Sequence, residues 1–132
     1  GPLKENLYKF TVNEKIDHVV DIVGFKENVN HYMQFSDLLI LTSFYEGFGN
    51  VLVEGLYNQM KIISINCKGG PKEILENGKY GTLINEFKEE IFVKEIHKIL
   101  NKKDYSYNNR YKDFTTYKIS EDYLNFIKDI NQ

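Results

Sequence analysis

The chain has 132 residues, 42% apolar and 27% charged, with 17 basic against 19 acidic side chains. That make-up reads as one globular domain able to bury a continuous core, and a net charge of −2 argues against a basic nucleic-acid module or a long disordered tract. Cys67 stands alone, which rules out an intrachain disulfide or a cysteine metal centre and fits a reducing compartment, so the cytoplasm is the expected location.

No stretch approaches the roughly 18 consecutive apolar residues of a membrane helix, and the N-terminus lacks a signal peptide's charged and apolar regions. Gly1-Pro2 reads as the remnant of a cleaved purification tag, with a single domain fragment over 3–132. Ten Tyr and nine Phe without a Trp, beside many Lys, Asn and Ile, fit an AT-rich genome better than a particular function.

In chain order, Leu3, Leu7, Tyr8 and Phe10 match helical spacing over Leu3 to Val12. The β-branched run His18 to Phe25, closed by Gly24, predicts a strand that stops at a turn. About two helical turns follow in "NHYMQFSD", and "DLLILTS", Asp37 to Ser43, is the kind of apolar run that lies in a parallel sheet covered on both faces. The alternation repeats: a helix over Asn50 to Asn58, a strand over Lys61 to Asn66, a helix over Pro71 to Glu76 and a strand near Tyr80 to Ile84. A long helix then runs from Glu89 to Leu100. Residues 101–118 read as loop with a weak helix. A last helix has Ser120 as candidate N-cap and Tyr123, Leu124, Ile127 and Ile130 on one stripe. Strands alternating with helices imply βαβ units, hence an α/β fold with a Rossmann-like, doubly wound parallel sheet between helices.

In such sheets ligands bind beyond the carboxyl ends of the strands. One such end carries "SFYEGFGNVLVEG", Ser43 to Gly55. Gly47 and Gly49 allow a positive φ or a close approach to a ligand, and a helix beginning near Asn50, a good N-cap residue, puts its positive end behind the loop's amides. That arrangement suits an anion such as a diphosphate. Carboxylates repel phosphate, so Glu46 and Glu54 are better placed to grip hydroxyls. Against this, twelve Glu in the chain make such a pair expected by chance, and glycines in a strand-to-helix loop are commonly structural. The G-F-G pattern is neither the dinucleotide fingerprint nor a Walker loop.

The second glycine-rich segment, Asn66 to Gly81, reads as a routine helix start at Pro71, with Glu73 in its first turn and Gly78 at its end. His18, His31 and His97 are too scattered for a metal site, and Cys67 has no evident base partner. Lys102, Lys103, Arg110, Lys112 and Lys118 among tyrosines read as a solvated face, not a nucleic-acid surface.

Taken together, Val19 to Ile84 resembles the C-terminal, donor-binding half of retaining GT-B glycosyltransferases of the "group 1" type, family four. The resemblance rests on G-F at Gly24, the S-x-Y-E-G-F-G-N-V-x-x-E box, the G-G-P-x-E-I-L-E-N-G loop and Y-G-x-L. It implies that Glu46 contacts the transferred sugar and Glu54 the ribose, and that Gly47, Phe48, Gly49, Asn50 and Val51 line the sugar and diphosphate. By the same resemblance Phe25 and Lys26 lie beside the nucleobase. It further implies a nucleotide-sugar donor, UDP by family frequency, with no metal or other cofactor. The acceptor would be a glycan or a lipid-linked saccharide of a bacterial surface polymer. Members of this family carry an earlier Arg and Lys for the diphosphate and a separate acceptor domain, neither of which this sequence contains. The expectation is therefore a fragment that binds donor weakly and turns nothing over, from a protein that docks peripherally at the membrane's inner face. A nucleotide-sugar epimerase of the same architecture and a non-catalytic interaction module stand as alternatives.

Overall fold

The computed structural model describes residues 2–102 and 109–130. Residues 103–108, including Lys103 of the basic and aromatic stretch, lie outside them, as do the last two positions. Three parallel strands form the sheet in the order β1 (Leu38–Leu41), β2 (Lys61–Ile65), β3 (Thr82–Ile84). Leu39 faces Ile62 and Ile63 faces Thr82 in the register. Six helices accompany them: α1 (Lys4–Asn13), α2 (Val29–Gln34), α3 (Asn50–Tyr57), α4 (Pro71–Ile74), α5 (Glu89–Leu100) and α6 (Thr116–Ile130).

Alternation along β2 builds the layers. Successive side chains of a strand point to opposite faces, so Ile62 and Ile63, both fully buried, enter different cores. Ile62 packs with Leu52 and Leu56 of α3, Ile74 of α4 and Met33 of α2. Ile63 and Ile65 pack with Ile84 of β3 and with Ile99, Ile96 and Phe92 of α5. Helices therefore cover both faces, the α/β layering that the sequence predicts. Gly55 brings α3 close to the sheet, since a Cβ there would lie 2.6 Å from Leu39 Cδ2.

Several local expectations need correction. Residues 18–25 form no strand: the segment runs as turns and irregular chain, with Val19, Val20 and Val23 all more than two-fifths exposed. A β-rich composition becomes a strand only where a neighbour supplies the ladder hydrogen bonds, and no described strand pairs with this one. Gly24 does take the positive φ expected of a turn, at 70°. β1 is not sealed on both faces, because Ile40 is 40% exposed. The N-cap of α3 is Gly49 and not Asn50; its φ of 93° and ψ of 50° are left-handed, a region glycine enters without strain.

α4 is shorter than its sequence pattern, and a 3-10 turn over Glu76–Gly78 follows it, with Gly78 at φ 95°. α6 begins at Thr116, four residues before Ser120, because the Thr115 hydroxyl accepts the Lys118 amide at 3.3 Å and so satisfies an end donor. None of α6's side chains is buried.

Candidate functional site

Beyond the carboxyl end of β1 the chain stays beside the loop that leaves β2. Tyr45 and Lys68 form an isolated parallel bridge, and the Glu46 amide donates to the Lys68 carbonyl at 3.3 Å. From there the two loops touch backbone to backbone. A Cβ on Gly69 would overlap the carbonyl oxygen of Glu46, and one on Gly70 would overlap that of Phe48. Only glycine fits at either place, and Gly69 also holds a φ of 110°. These glycines, read from sequence as an ordinary helix start, thus shape the neighbouring loop.

The contact fixes where the amides point. A carbonyl and the following N–H belong to one planar trans unit and face opposite ways. With the Glu46 and Phe48 carbonyls turned against Gly69 and Gly70, the N–H groups of Gly47 and Gly49 point away from that contact, Gly47 from an exposed position and Gly49 from a buried one. Among the described residues no carbonyl accepts from the amides of Gly47, Phe48, Gly49, Asn50 or Val51. A Cβ on Gly47 would meet nothing within 4 Å, so that position borders open space. The first turn of α3 holds no acidic residue, so no carboxylate of that turn neutralises its positive end. The whole can accept an anion through main-chain donors.

Glu46 is half-buried in this loop, and Glu54 is exposed one turn further along α3. Neither carboxylate makes an ion pair or side-chain hydrogen bond among the described residues, so both retain their acceptor capacity. Asn50 is exposed in the first turn of α3 and Val51 is half-buried against its core. Phe25, 89% exposed, and Lys26 lie in the irregular segment before α2, and no described contact joins them to the Glu46 loop. Cys67 is half-buried and packs with the α5-side core. No group of His, Cys, Asp and Glu among the described residues is arranged to hold a metal ion. None of the described helices is long and apolar enough to cross a membrane.

Two residues bear on the loop from the far end of the chain: Phe114, which the sequence pattern passes over, and Arg110, which is not on the solvated face expected of it but has a side chain only 18% exposed. Phe114 sets its ring edge-on to Phe48, with centroids 5.6 Å apart. Arg110 lies 4.8 Å from the Phe114 ring and donates to the carbonyls of Glu73 and Ile74, the last of α4, at 2.8 and 3.2 Å. Arg110 and Phe114 stand four residues apart, the one hint in the sequence that they share a face.

The Glycosyl transferases group 1 family matches residues 1–119. The chain is 37% identical, over 71% of its length, to a probable sucrose-phosphate synthase of Thermosipho melanesiensis. It is 32% identical, over 84% of its length, to a Campylobacter jejuni GalNAc-alpha-(1->4)-GalNAc-alpha-(1->3)-diNAcBac-PP-undecaprenol alpha-1,4-N-acetyl-D-galactosaminyltransferase. A second Campylobacter jejuni enzyme, an N-acetylgalactosamine-N,N'-diacetylbacillosaminyl-diphospho-undecaprenol 4-alpha-N-acetylgalactosaminyltransferase, is 27% identical over 96% of the chain. The chain spans only 22%, 33% and 36% of these three relatives' own lengths. A match over residues 1–119, which include the loop, helix and glycine pair described above, places it: the chain belongs to the group 1 glycosyl transferases.

Proposed function

We propose that this chain is the donor-binding part of a retaining glycosyltransferase, moving a sugar from a nucleotide sugar, preferably a UDP-sugar, to a glycan or lipid-linked acceptor. The observation that carries this reading is the pair of carbonyls at Glu46 and Phe48 turned against Gly69 and Gly70, which leaves the Gly47 and Gly49 amides at the start of α3 pointing away from that contact with no carbonyl acceptor. In this reading the amides of Gly47 to Val51 hold the diphosphate and the sugar. Glu46 grips hydroxyls of the transferred sugar and Glu54 those of the ribose, while Phe25 and Lys26 close on the nucleobase. No metal takes part.

Catalysis then rests on positioning and on fixed donors aimed at the leaving diphosphate, which gathers negative charge as the glycosidic bond breaks and the acceptor hydroxyl attacks the same face. The named substrates of the two Campylobacter jejuni relatives support an undecaprenol-diphosphate-linked saccharide as acceptor and an N-acetylhexosamine as the transferred sugar. The relatives' greater length supports an acceptor domain outside these 132 residues, and the undecaprenol-linked substrates named for the two Campylobacter jejuni relatives support work at the inner face of the cytoplasmic membrane. Alone, the chain binds donor and does not transfer it. Titrating UDP and UDP-sugars while following the amide resonances of Gly47 to Val51 tests the reading: saturable movement at these amides is expected, and none of them moving would overturn it.

A further inference from the structure

We propose that Phe114 and Arg110 are positioning residues for the nucleotide loop, an inference that rests on the donor-binding reading. Phe48 is gripped on two sides. Its carbonyl is trapped against Gly70, at the N-terminus of α4, and its ring meets the edge of Phe114 at an interplanar angle of 66°. Phe114 belongs to the 3-10 turn Arg110–Phe114, far along the sequence, so something must hold that turn in place.

Arg110 does so. One guanidinium reaches Glu73 and Ile74 of α4 through its Nη2 and Nε, pairs with Asp113 at 2.7 Å through Nη1, and lies over the Phe114 ring. The Arg110 side chain is 18% exposed, so these bonds are partly shielded from water. α4 is thereby tied at both ends: Gly70 at its start presses on the Phe48 carbonyl, and Arg110 at its finish bears on the ring that touches Phe48. A rigid Phe48 keeps the neighbouring amides, which no carbonyl occupies, in one arrangement before any ligand arrives, the pre-organisation that lowers the entropic cost of binding.

Tyr111 supplies a matched control. It lies in the same 3-10 turn and makes a similar aromatic contact, 5.3 Å and 88°, but with Tyr57 at the far end of α3. The experiment compares the 132-residue chain with Phe114→Leu, Phe114→Tyr, Arg110→Lys and Tyr111→Leu. Circular dichroism checks the fold of each, and backbone order parameters and UDP affinity are read on each. Phe114→Leu and Arg110→Lys are expected to lower the order parameters of Gly47 to Val51 and to weaken UDP binding about threefold to tenfold. Phe114→Tyr should restore both, and Tyr111→Leu should leave both at the wild-type level. Equal loss in Phe114→Leu and Tyr111→Leu, or loop order unchanged in Phe114→Leu, would overturn the proposal. Failure of the wild-type chain to bind UDP would count against the donor-binding reading instead, while the order parameters would still decide whether Phe114 braces the loop.

Discussion

From Tyr45 to Phe48 the chain is held by another stretch of backbone, whereas the 15 residues of α6 bury none of their side chains. Both segments carry aromatic residues. The loop leaves a strand whose neighbour, β2, also ends beside it, so two glycines can bring main chain against main chain. α6 follows the last turn to touch the core, with Ile119, Tyr123, Phe126 and Ile130 all more than half exposed. The helix is built without burying a side chain, whereas the loop is fixed by main-chain contact with its neighbour.

This contrast can be broken most forcefully at the centre of the sheet. Ile63→Ala removes a fully buried side chain and should cost about 2–5 kcal/mol in urea unfolding. Ile119→Ala on α6 should stay within about 0.5 kcal/mol, and similar losses at both positions would erase the distinction. Next comes the loop contact itself. Gly70→Ala forces a Cβ into the Phe48 carbonyl and should destabilise by about 1–3 kcal/mol; a melting temperature equal to wild type would show that the loops are not locked.

Gly47→Ala sharpens the comparison from the other side. Open space surrounds that position, so stability should change by less than about 0.5 kcal/mol. A large change in its thermal melt would mean that Gly47 is structural. The smallest effect is expected on α6. The hydrogen bond from Lys118 to Asp122 is the main cause holding the Lys118 ammonium above its ordinary value of 10.5. A raised value means that its small contribution is complete below about 10.5 and fades as pH rises through the shifted value. Lys118→Met should therefore lower the melting point slightly near pH 8 and match wild type at strongly alkaline pH. A deficit that persists there would point to lost packing by the lysine stem.

Much of the fold was legible because its signals are local. The apolar run Lys61 to Asn66 foretold β2 to within a residue, and the spacing from Ile91 to Leu100 foretold α5 at both ends. The His18 to Phe25 run misleads because strand formation depends on a partner, which composition does not report. Asn50 and Ser120 misled as caps because a left-handed Gly49 and the Thr115 hydroxyl do those tasks instead. For the candidate site, the sequence pointed to Gly47, Gly49 and the start of α3. It took Gly69 and Gly70 for an ordinary helix start and Arg110 for part of a solvated face, and it passed over Phe114, because those roles arise from contacts between residues more than twenty positions apart.

The interlocked glycine loops also limit how a protein of this kind can diversify. With Gly69 and Gly70 barred from gaining side chains, the main-chain cradle is a constant of the scaffold, inherited whole or lost whole. On the donor-binding reading proposed above, new ligand preferences would be written in the side chains beside it, at Glu46, Asn50 and Glu54, which take no part in the glycine contacts.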